Sequence, residues 1–277
     1  MRPILKWGAT LAAVLFLFAG AADAQSYVST VLGTNPLAYF RLEASPDTSL
    51  VGGYLATFQP GVTLAGTGAP ICVTPNHSAT FNGTTGQITT TLAGGINTAG
   101  SMAAWVNLAT LPSTAGQFFY IAGESQLNND FDLQFTTDNF VRFYVSDDSI
   151  NVGYQPNAAT LVGQWHFVVA TFNAATNTEN LYWDGQFVAT ANNTVFPGKT
   201  LQFNMGASTV FTGRNFAGSL DEVAVWNTAL TAAQVSAIYN SASCSVQATP
   251  APPTWTLAIL GLILLGATGL LMSRKTA

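Results

Sequence analysis

Short apolar runs broken by clusters of Gly, Asn, Thr and Pro recur from residue 79 to residue 226, the pattern of a chain built from short strands. They predict strands at residues 79–81, 87–90, 102–108, 118–122, 131–136 and 140–145. Further strands are predicted at residues 165–172, 181–183, 186–191, 201–204 and 220–226. Asp184-Gly185, flanked by Leu181-Tyr182-Trp183 and Gln186-Phe187-Val188, predicts a two-residue hairpin turn. Asp138-Asn139 predicts a second hairpin. One segment reads as helix: Thr231 can cap it, Gln234 completes a capping box, and Leu230 with Val235 can form a hydrophobic staple. Val235, Ile238 and Tyr239 then give that helix an apolar face. The fold class expected is all-β, a two-sheet jelly-roll sandwich with one short C-terminal helix. There is no internal repeat.

The two ends follow a different pattern. Residues 1–24 read as a secretory signal peptide: Arg2 and Lys6, an apolar stretch over 11–18, then Ala22-Asp23-Ala24, with cleavage expected between Ala24 and Gln25. Residues 255–272 carry no charge and would make a helix of about 27 Å, close to the thickness of a bilayer core. Arg274 and Lys275 follow at once, which orients the preceding domain outward. The expected organisation is a signal peptide (1–24), a jelly-roll domain (25–244), a Pro-containing linker (245–254) and a transmembrane anchor with a basic end (255–277).

Composition narrows the class further. The 277 residues are 48% hydrophobic and 12% aromatic but only 8% charged, where an ordinary domain carries about 25%. Between residues 25 and 249 the bases are Arg41, Arg142, Lys199 and Arg214, against twelve acids. Phosphate binding needs clustered Lys and Arg, so a nucleic-acid partner is excluded. A surface of Thr, Asn, Ser, Gln and aromatic rings suits a neutral polymer instead. Cys72 and Cys244 are the only cysteines; in an exported chain their default state is one disulfide. Their separation excludes a CxxC redox pair or a zinc knuckle.

Six blocks stand in order along the chain: Asn35-Pro36-Leu37-Ala38-Tyr39-Phe40-Arg41-Leu42-Glu43; Phe81-Asn82-Gly83-Thr84-Thr85-Gly86; Ala104-Trp105-Val106; Trp165-His166-Phe167-Val168-Val169-Ala170; Leu181-Tyr182-Trp183-Asp184-Gly185; and Phe216-Ala217-Gly218-Ser219-Leu220-Asp221-Glu222-Val223. Together they resemble bacterial LamG-like jelly-roll domains, which implies the concanavalin A-like lectin/glucanase architecture. Asp47-Thr48-Ser49-Leu50-Val51 departs from the family's Asp-x-Ser-Gly-Asn. Pro250-Ala251-Pro252-Pro253-Thr254-Trp255 with the span and its basic end resembles a PEP-CTERM sorting segment, with Ala251 where that family has Glu. A tail of the Ile-Pro-Thr-Leu type is the alternative. This second resemblance implies a Gram-negative bacterium and a membrane, cell-surface or extracellular-matrix destination.

Candidate chemistry is sparse. The Glu-x-Asp-x-x-Glu order of the related glucanases is missing from the sequence. Asp221 and Glu222 are adjacent, so strand alternation sends them to opposite faces. Asp130 and Asp132 share a face, at the point where a loop enters a strand, and read as a solvated pair. Asp221 alternates with Val223 and Val225 and is expected to face the interior. The resemblance makes Asp221 a candidate calcium ligand, against the alternative that backbone N–H groups hold it. His166 reads as structural and His77 as part of an exposed turn. Candidate sugar-stacking rings are Phe119, Tyr120, Tyr144, Tyr154 and Trp183. The expected function is non-catalytic recognition of a neutral polysaccharide or surface glycan by an exported, anchored domain. The alternatives are a glycoside hydrolase with dispersed carboxylates and a structural matrix protein.

Overall fold

The computed structural model describes residues 26–65, 67–124, 130–146, 151–192 and 202–243. The first strands are β1 (Ala38–Phe40), β2 (Asp47–Thr48), β3 (Leu55–Phe58), β4 (Val62–Ala65), β5 (Ser78–Asn82) and β6 (Ile88–Ala93). Then come β7 (Ala99–Leu108), β8 (Phe119–Glu124), β9 (Asp130–Phe135), β10 (Val141–Ser146) and β11 (Asn151–Tyr154). The last are β12 (Trp165–Asn173), β13 (Thr178–Trp183), β14 (Gln186–Asn192), β15 (Gln202–Met205) and β16 (Ala217–Trp226). Helices are α1 (Tyr27–Gly33), the single turns α2 (Pro112–Ala115) and α3 (Ala158–Leu161), and α4 (Ala232–Ser241).

Two antiparallel sheets face each other. The first runs β14-β13-β12-β7-β16-β5-β4, with β1 also paired to β16; the second runs β11-β10-β9-β8-β15-β6-β3-β2. The alternation within each strand explains the layering. On β9, Phe131, Leu133 and Phe135 point into the shared core, where Phe131 meets Phe143 and Phe172 edge-on at 5.5 and 5.8 Å. On β12, Val168, Ala170 and Phe172 fill that core, while Phe167 and Val169 join a second apolar cluster on the other side of the same sheet. The first sheet is therefore apolar on both faces, which is why β12 reads as a nearly unbroken apolar run.

Helices seal that outer face. Tyr27 and Val31 of α1 and Val235 and Ile238 of α4 pack over Tyr39, Trp105, Phe167 and Trp226. The indole N–H groups of Trp105 and Trp226 donate to Tyr27 Oη at 3.0 Å and Thr34 Oγ1 at 2.9 Å, so both buried rings have a polar partner. The capping box predicted from Thr231 and Gln234 is formed. The helix α1 went unpredicted: its seven residues lack an acid, a base or a long periodic face, and docking on α4 and Trp105 holds it.

The Asp184-Gly185 turn is formed, with φ of +49° and +76°, as a two-residue turn of the primed type requires. Asn139, at φ +64°, turns the β9–β10 hairpin as expected. Three expectations fall outside the described residues: the signal peptide, the span at 255–272, and Cys244. Among the described residues no helix is long and apolar enough to cross a membrane, and no cysteine is free.

Candidate functional site

Helices cover the outer face of the first sheet, and hollows lie among the loops at the end of the sandwich. Among the described residues, a shallow cleft of about 480 Å³ lies at the end of the sandwich, between the turn after β5 and the β15–β16 connection. Its walls are hydroxyls and amides from Thr84, Thr85, Ser208, Thr212 and Asn215, with the ring of Phe211. The local sequence builds this directly. Asn82 Oδ1 accepts from the N–H groups of Thr84, Thr85 and Gly86 at 3.0, 2.9 and 3.0 Å, which curls the turn and aligns both threonines. Ser208 Oγ accepts from the N–H of Phe211 at 3.0 Å and sets the opposite wall. Gly206, at φ +81°, starts that connection; a β-carbon there would lie 2.0 Å from the Phe81 ring. A smaller hollow of about 270 Å³ shares Thr212 and Gly213 with the cleft and is bounded by Phe118, Thr137 and Arg214.

Beside it, cross-strand register assembles a polar row on the outer face of the second sheet: Thr57, Thr89, Asn204, Gly123, Asp132, Tyr144 and Asn151. Tyr120, Gln134 and Arg142 form the next row. Asp130 and Asp132 do share this face, but both are completely buried, which corrects the expectation of a solvated pair. They belong to β9 itself rather than to its loop. Gln134 follows at the next outward position of the strand, an amide that cannot transfer a proton.

The five aromatic candidates separate. Tyr120 and Tyr144 lie on the outer face but are only 1% and 7% exposed. Trp183 belongs to the core, edge-on to Phe135 at 6.2 Å and stacked on His166 at 4.7 Å. Tyr154 packs against the same core beside Trp183. Phe119 is fully buried. None of the five is an open stacking platform. Phe211, partly exposed in the cleft, was not singled out because a lone Phe in a Ser/Thr loop has no periodic signature.

Asp221 and Glu222 also depart from expectation. The ladder between β16 and β7 slips between Asp221 and Ala224, and Glu222 has φ +52°. This bulge lets β16 pair with β5 before it and with β1 after it. It also breaks the alternation, so both carboxylates lie buried on the helix-covered side instead of on opposite faces. Asp221 accepts from the N–H of Ala69 and of Glu222, each at 2.8 Å. Glu222 accepts from Tyr39 Oη and, at 3.0 Å, from Arg41 Nε. Burial, reinforced by the neighbouring Glu222 charge, pushes the Asp221 carboxyl well above the usual range. Burial pushes Glu222 upward as well, against the pull of Arg41.

Oxygen atoms gather at this corner. A β-carbon added to Gly68 would meet Asn76 Oδ1 at 2.4 Å and Asp221 Oδ2 and the His77 carbonyl at 2.6 Å each. Asn76 Oδ1 is buried and has no hydrogen-bond partner. One carboxylate, one amide and one carbonyl supply three hard oxygens, where calcium takes six to eight. Among the described residues no group of three or more His, Cys, Asp or Glu could hold a metal.

Comparison with known proteins agrees with the architecture. No curated protein matches the sequence. Solved structures similar in fold include the binding domain of botulinum neurotoxin DC in complex with SialylT, at TM-score 0.59 and 12% identity. That match covers 76% of this chain and 52% of the other. The binding domain of Paraclostridial Mosquitocidal Protein 1 has a TM-score of 0.60 and 14% identity, over 76% of this chain and 53% of the other. The botulinum neurotoxin serotype G binding domain has a TM-score of 0.59 and 11% identity, over 74% and 50%. The chain thus spans about half the length of these neighbours. A family model described as the concanavalin A-like lectin/glucanases superfamily matches residues 82–236, over half of the sequence and across both sheets. The chain belongs to the concanavalin A-like lectin/glucanase superfamily.

Proposed function

We propose that this chain is a non-catalytic carbohydrate-recognition domain, exported and held at a membrane or cell surface by its C-terminal segment. The carrying observation is the cleft between residues 84–85 and 208–215, where hydroxyl and amide groups surround one aromatic ring. Such groups exchange hydrogen bonds with sugar hydroxyls, and a ring face takes the apolar side of a pyranose. The similar structures, described as binding domains, support the reading at the level of fold. Glycan-array binding by the full chain tests it. Phe211→Ala is expected to weaken that binding by about ten-fold, the scale of one aromatic contact. Unchanged binding by the variant would move the site elsewhere.

The second reading, a glycoside hydrolase, is favoured only by Asp130 and Asp132, two carboxylates on one side of β9 that are both buried. Release of reducing ends from a polysaccharide panel, abolished by Asp132→Asn, would establish it in place of pure binding.

We further propose that calcium occupies the β16 corner, held by Asp221, Asn76 and the His77 carbonyl. It would offset the buried carboxylates and pin the segment before β5 to β16. Export and anchoring rest on the sequence patterns at the two ends. Fractionation of cells expressing the full chain, and a form lacking residues 255–275, tests them.

A further inference from the structure

We infer that Arg214 makes the cleft selective for a saccharide that carries a carboxylate; this rests on the glycan-binding reading above. Among the described residues the other two arginines are engaged by acids. Arg41 pairs with Glu43 at 2.7 Å and Glu222 at 3.0 Å. Arg142 pairs with Asp138 at 3.0 Å and donates to Asn151 at 3.1 Å. Arg214 has no carboxylate partner among the described residues, in a chain where acids outnumber bases. Its guanidinium lies 3.9 Å from the Phe211 ring centre and 5.0 Å from that of Phe118. Its one hydrogen bond is a long one, Nη1 to Gln134 Oε1 at 3.3 Å.

These contacts fix the group and leave most of its donors open to solvent or a ligand. Two rings hold the guanidinium by cation–π attraction, at no cost to its in-plane N–H donors. A guanidinium has five such donors, and one is taken. Arg214 borders the smaller hollow, and the larger cleft meets it at Thr212 and Gly213. A sugar lying in the cleft across Thr212 and Gly213 would therefore present a ring substituent to Arg214. The planar group that matches a guanidinium edge is a carboxylate, through paired charge-assisted hydrogen bonds. The composition argued for a neutral polymer; the unpaired arginine refines that to a polymer bearing one acidic group per site, so salt should weaken binding only shallowly.

The test uses the full chain and three polymers: polygalacturonate, alginate and polysialic acid, each compared with its methyl ester. The wild type is expected to bind at least one acid form about ten-fold tighter than its ester. Arg214→Gln should bring the two within about two-fold by weakening the acid form more than the ester, while Arg214→Lys keeps part of the preference. Equal binding of acid and ester by the wild type overturns the inference and leaves glycan recognition standing, a result independent of whether any variant folds. A preference retained by Arg214→Gln also overturns it. Preference for dextran sulfate over dextran, with no preference among the carboxylates, would overturn it in favour of a sulfate ester. Binding to no saccharide at all removes the reading on which it rests.

Discussion

His166 and Asp184 are locked together across the β12–β13 hairpin, with 2.8 Å between imidazole Nδ1 and carboxylate Oδ2. The other carboxylate oxygen accepts from the N–H of Phe167 at 2.9 Å, and the N–H of Asp184 donates to the Phe167 carbonyl at 2.8 Å. The far side of the ring, Nε2, faces the Thr160 carbonyl at 3.0 Å. Both ring nitrogens thus meet acceptors, which favours the doubly protonated form.

That arrangement gives stability a pH dependence. Burial disfavours the charged ring, but the bond to Asp184 outweighs it and the pKa of His166 is raised. The added stability is full below the unfolded value of about 6.5 and is lost as pH rises through the higher folded value. Thermal melts of wild type and His166→Gln should therefore differ most in mild acid and converge in mild alkali. A constant gap across that range would show that the imidazolium contributes nothing.

Calcium at the β16 corner has a direct measure. Chelator should lower the melting temperature of the wild type and leave that of Asp221→Asn unmoved, because the variant loses the one charged ligand. Asn76→Ala should lose part of the response. Superimposable wild-type melts with and without chelator would remove the ion from the proposal.

Gly206 tests how the cleft is held. At φ +81° and against the Phe81 ring, an added methyl group is both strained and overpacked. Gly206→Ala should destabilise the protein by about 3 kcal/mol. It should also weaken glycan binding, because the β15–β16 connection starts there. Wild-type stability in urea melts would mean that the ring yields.

The two cysteines are expected to form one bond in the exported protein. Peptide mapping without reductant should recover Cys72 and Cys244 in one linked species, and reduction should destabilise the domain by about 2–4 kcal/mol. Recovery of both as free thiols ends the idea.

The sequence alone determined the all-β class, most of the strands, two hairpin turns and the capped helix, because each rests on local chemistry. Asp184-Gly185 readily takes the positive φ that a two-residue turn needs, and Thr231 with Gln234 closes a capping box within one turn. The strand at residues 165–172 was legible for the same reason. Only the tertiary structure decided which face each side chain serves. A bulge between Asp221 and Ala224 undid the alternation that separated Asp221 from Glu222. Burial of Trp183 against Phe135, and of Tyr120 and Tyr144 on the outer face, turned expected stacking rings into packing. The cleft joins residues 84–85 to residues 208–215, and Arg214 gains its two rings and Gln134 from three separate segments. Periodicity records which residues are buried; it carries no information on which distant loops meet, because that follows from the order in which the strands pair.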